Sequence, residues 1–89
     1  MKIPQTVHIL GQDFTIEFIK DRKKLDYVGR CYPNANKIEL VEDLPDDKLF
    51  QTYLHEVLHA IDINLNMGLK HKQIDTLSVA LYQFLKDNL

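Results

Sequence analysis

The chain has 89 residues, enough for one compact domain, read here as residues 1–89, and too few for two domains with separate cores. A hydrophobic share of 45% and a charged share of 27% are those of a globular protein, which sets aside disordered and fibrous classes. The formal net charge of -2 gives no broad cationic surface, and the one basic run, KDRKK at 20–24, contains its own Asp21 and is soon followed by Asp26, so nucleic acid is not the expected partner.

The first ten residues, MKIPQTVHIL, meet a proline early and lack a small-residue cleavage site, and no stretch reaches the roughly 18 apolar residues of a membrane span. The expectation is an unexported protein of the cytoplasm with no membrane contact. The single Cys31 cannot form an internal disulfide, so stability has to come from packing or from a bound metal.

The first half of the chain reads as strands. TVHIL is followed by Gly11 and Gln12 as turn material and then by DFTIEFI, in which Phe14, Ile16 and Phe18 alternate with Thr15, Glu17 and Ile19. These two runs predict a hairpin. YVGRCY, the turn PNAN and KIELV predict a second pair, with Pro33, Asn34 and Asn36 supplying turn chemistry. The expected product is a small antiparallel sheet of three to four strands, with KIELV at 37–41 as its last member and an edge strand.

The second half reads as helices. Asp43, Pro45, Asp46 and Asp47 offer capping groups and early negative charge, a periodic run follows over about 46–66, and Gly68 stands where a C-terminal cap belongs. A second helix runs from near His71 to Lys86, with Ile74, Leu77, Leu81, Phe84 and Leu85 along one side. The fold class is therefore α+β, with the sheet first and two helices after.

On the first helix, Phe50, Leu54, Leu58, Ile61 and Leu65 form an apolar stripe, and His55 and His59 fall together beside it, roughly 40° apart. Glu56 lies roughly 60° beyond His59, toward solvent. Two histidines at a core boundary need no metal, and they would need no glutamate after the first. A zinc site does need two imidazoles one helical turn apart, which the i, i+4 spacing supplies, leaving positions for a third ligand and for water. A carboxylate following the first histidine is rotated off the ligand face, yet close enough to take a proton from a water beside the metal. HEVLH at 55–59 therefore assigns His55 and His59 as Zn2+ ligands and Glu56 as the catalytic base.

The third ligand has to come from elsewhere. The metzincin continuation would require Gly at 62 and His at 65, where the chain has Asp62 and Leu65. On the second helix His71 and Asp75 are i and i+4 and share a stripe with Ser78 and Tyr82. Imidazole is the better zinc ligand and Asp75 could instead accept the other ring proton of a ligand histidine, while the opposite assignment, Asp75 as ligand, stays open. Asp62 reads as surface or as a weaker supporting group. Tyr27, Tyr32, Tyr53 and Tyr82 are each chemically able to stabilise an oxyanion, although an aromatic anchor at a core edge is the commoner role. Cys31 and His8 read as structural, because no partner is placed beside either by local periodicity.

YLHEVLHAID, followed by a short turn and HKQIDTLSVALYQFLKDN, resembles the small HExxH proteins of bacteriophage and prophage genomes, relatives of the ImmA/IrrE-type zincin metallopeptidases. That resemblance implies a minimal zincin-like, gluzincin-type domain and a zinc-dependent peptidase. It gives His55 and His59 as zinc ligands and Glu56 as general base and acid. It places a glutamate ligand near the start of the next helix, where this chain has His71, and locates the protein in the cytoplasm of a bacterial host. It also implies an extended peptide or protein substrate added as a strand alongside 37–41. The alternative expectation is a catalytically weak or inactive zinc-binding module that regulates or binds a host or phage protein.

Overall fold

The computed structural model describes residues 2–20 and 26–89. Apart from Lys20, the basic run at 20–24 lies outside the described residues. Four strands, β1 (Thr6–Ile9), β2 (Gln12–Ile19), β3 (Gly29–Tyr32) and β4 (Lys37–Val41), precede two helices, α1 (Asp46–Leu65) and α2 (His71–Asn88). The arrangement is α+β, as the periodicities predict. Among the described residues no helix is long and apolar enough to cross a membrane.

The sheet is mixed rather than purely antiparallel, in the order β1-β2-β4-β3. β1 and β2 form the predicted hairpin, turning through Leu10 and Gly11, both at positive φ, which matches the right-handed twist of the strands. β3 and β4 pair antiparallel across a 3-10 turn at Pro33–Ala35, closed by Asn36 in the left-handed conformation. β4 then lies parallel to β2, with Thr15 opposite Lys37 and Ile19 opposite Val41. KIELV is thus an interior strand, and the expectation that it forms the edge, with substrate added alongside 37–41, is corrected. Both of its backbone edges are occupied by β2 and β3. β3 pairs with β4 alone and is an outer strand of the described sheet.

One face of the sheet carries Phe14, Ile16, Ile38 and Leu40, all buried, and α1 covers it with Tyr53, Leu54 and Ala60. Ala60 has no exposed surface, and its small side chain lets the helix sit close. α1 begins after Pro45 without a side-chain cap, and Asp46 and Asp47 in its first turn oppose the positive end of the helix dipole. Its C-cap is Asn66, in the left-handed conformation, rather than Gly68, which takes up a second positive φ two residues on.

α2 packs inward with the Ile74 and Leu85 edge of its apolar stripe together with part of its polar stripe, and not with the whole apolar face. The buried line is Ile74, Ser78 and Tyr82, whereas Leu77, Leu81 and Phe84 are 46, 37 and 59% exposed. The helix is turned so that its polar stripe meets α1, where Tyr82 donates a hydrogen bond to Asp47. That rotation brings His71 and Asp75 toward the histidines of α1.

Candidate metal centre

His55 and His59 lie one turn apart on α1, with Nε2 of one 3.0 Å from Nε2 of the other. His71, the first residue of α2, joins them, and one ring nitrogen from each of the three lies within 4.8 Å of the others. Three ring nitrogens gathered this closely could hold a metal ion. Burial holds both His55 and His59 below the ordinary imidazole range, and the neighbouring imidazoles push the same way, keeping lone pairs available.

Asp75 Oδ1 lies 3.1 Å from Nδ1 of His55. A carboxylate at this place favours a proton on Nδ1, which would leave the Nε2 lone pair available. Of the two assignments left open by spacing, the geometry gathers His71 with the ring nitrogens and puts Asp75 behind His55 as its orienting carboxylate. Ser78 reaches back to the Asp75 carbonyl at 2.7 Å, tightening the turn that carries it.

Glu56, expected toward solvent from its helical angle, instead lines the same cleft against Gly29 of β3 and is only 6% exposed. Removal from water pushes its carboxyl up to about 7. It rests against Gly29 of β3, where a Cβ would come within 3.2 Å of Glu56 Oε2 and within 2.5 Å of Thr52 Cγ2. Glycine at this place lets the strand press on the helix. The sequence reading passed over Gly29 and Thr52. The available signal was an isolated glycine inside a strand pattern, which often marks a close backbone approach.

The three imidazoles and Glu56 line one cleft of about 700 Å³ between β3, α1 and the start of α2. Tyr27 is the tyrosine that lines it. Its hydroxyl is committed to Glu39 at 3.0 Å, beside Tyr32 at 2.9 Å from the same oxygen, and the bond to Tyr32, burial and Glu39 together push the Tyr27 phenol up to about 12. Tyr53 sits in the core and the Tyr82 hydroxyl is held by Asp47. The cationic side chains on the cleft wall are Arg30 and Lys48. Cys31 also faces the cleft, but burial, reinforced by Glu56, pushes its thiol up to about 11, so it stays protonated at neutral pH and is a poor nucleophile. His8 is exposed and pairs with Asp13 across the hairpin, away from the cleft. Asp62 accepts the Leu69 amide at 2.9 Å and so belongs to the turn between the helices.

No family model, no curated protein and no solved structure matches this chain.

Proposed function

We propose that this chain is a zinc-dependent metallopeptidase of the cytoplasm, similar to the ImmA/IrrE-type zincins in its HEVLH motif. The observation that carries the reading is the convergence of His55, His59 and His71 within 4.8 Å at a cleft that also holds a buried Glu56. Three imidazoles with an open fourth position are a catalytic rather than a closed structural donor set. Asp75 is engaged with His55 and leaves that position free.

A zinc ion held there would polarise the scissile carbonyl and acidify a water beside it. Glu56, in the same cleft, would serve as the proton acceptor, and a carboxyl pushed up to about 7 is suited both to accept a proton and to pass it to a leaving amine. In the described sheet β3 is the outer strand next to the cleft, and an extended peptide pairing with Gly29–Tyr32 would lie across the imidazoles, bound through its backbone. On this reading the substrate strand would pair beside 29–32, since both edges of 37–41 are occupied.

The test is metal analysis of the purified chain followed by peptide hydrolysis with Glu56→Gln. The expected result is one zinc per chain, with hydrolysis lost in the variant and zinc retained. A Glu56→Gln protein that cleaves at the parental rate overturns the mechanism. Bound zinc with no hydrolysis of any peptide library selects the zinc-binding module instead.

A further inference from the structure

His71 is the exposed member of the ligand set and the first residue of its helix. The other two imidazoles are held in register by the α1 backbone, whereas His71 depends on the five-residue turn 66–70 for its place. Helix ends fray, and a third ligand that wanders by an ångström forfeits most of its contribution to a metal site. Something has to hold the turn.

The bonds across the turn converge on one residue. The backbone carbonyl of Asp62 accepts the Asn66 amide and, at 3.1 Å, the Met67 amide. Its side-chain Oδ1 accepts the Leu69 amide at 2.9 Å, seven residues ahead and two before His71. Asn66 and Gly68 both take left-handed backbone angles, which lets the chain double back far enough for the Leu69 N–H to face α1. Lys70 then opens α2, its amide donating to Gln73 Oε1 at 2.8 Å. Asp62 itself stands three residues after His59. A single side chain therefore links the turn of α1 next to the ligand pair with the backbone that delivers the third ligand.

We propose that Asp62 is the positioning residue of the metal site, acting through the Leu69 amide to hold His71 in reach of His55 and His59. The proposal rests on the metal-binding reading above. It assigns Asp62 a mechanical role in which an acceptor oxygen is required and the negative charge is not.

The probe is Co2+ added to the metal-free full chain, read by affinity and by the intensity of its visible ligand-field bands, which are strong in a four-coordinate site and weak at higher coordination. In Asp62→Ala the expected result is a Kd raised about 10-fold or more, the range for loss of a group that orients a metal ligand, together with weakened bands. Asp62→Asn keeps an oxygen that can accept from Leu69 and should restore both. In a His71→Ala background, Asp62→Ala should have no further effect, since the residue it positions is already gone.

An Asp62→Ala protein that binds Co2+ like the parent overturns the proposal, as does an Asp62→Asn protein that falls as far as Asp62→Ala, which would mean that the charge near His59 matters instead. A parent chain that binds no Co2+ overturns the metal reading itself, an outcome distinct from either. A measurement on the unmutated chain covers the case in which Asp62→Ala does not fold. The Leu69 amide should exchange its proton more slowly than the Gly68 amide in the metal-free protein, and exchange at the rate of an open turn rules the clasp out.

Discussion

Replacing Glu56 by glutamine tests the environment of the candidate base without relying on metal or on activity. The carboxyl is wedged between α1 and the β3 backbone at Gly29, almost wholly out of water. Burial moves it from 4.5 in the unfolded chain to about 7 in the folded one. Below pH 4.5 the carboxyl is protonated in both states and contributes no pH dependence. Between 4.5 and 7 the unfolded chain releases its proton while the folded chain retains it, so stability falls as pH rises, by roughly 1.4 kcal/mol per pH unit. Above pH 7 the loss is complete, at about 3 kcal/mol. Glutamine has nearly the same shape and no proton to release. In chelator-treated protein, the stability of Glu56→Gln minus that of the parent should therefore grow by about 3 kcal/mol between pH 4.5 and pH 8.5. The titrations of His55 and His59 are common to both proteins and cancel in that difference. Urea unfolding followed by circular dichroism, at four or five pH values, measures it. A difference that stays flat with pH would refute the claim that this carboxyl is desolvated.

Three further outcomes follow from the packing and the site. Gly29→Ala forces a methyl group to within 2.5 Å of Thr52 Cγ2, and the resulting separation of β3 from α1 should cost about 1–3 kcal/mol in urea unfolding. Zinc at 100 times its Kd should add about 2.7 kcal/mol, which in a domain of this size raises Tm by about 10–20 °C, and a chelator should reverse the rise in differential scanning fluorimetry. Tyr82→Phe removes the bond that ties α2 to Asp47 at the start of α1, and should cost about 0.5–1.5 kcal/mol in urea unfolding.

Local periodicity reaches only what lies within a turn or a pleat along the chain. His55, Glu56 and His59 are related by helical geometry alone, so their spacing places two imidazoles together and the carboxylate apart before any tertiary contact forms. The pairing of His71 with Asp75 is legible for the same reason, and so are the alternating strands and the order of sheet and helices. Tertiary structure decided what lies beyond that reach. Alternation tells which residues of KIELV face the core and is silent on which strands flank it, so only packing made β4 interior and left β3 beside the cleft. The second helix carries a wide apolar arc, and its rotation toward Ser78 and Tyr82 was set by the fit against α1 and by the Asp47 bond rather than by hydropathy. Gly29 and Asp62 show the limit most clearly. One matters for a side chain it lacks and the other for an amide seven positions away, and both become meaningful only when distant backbone segments meet.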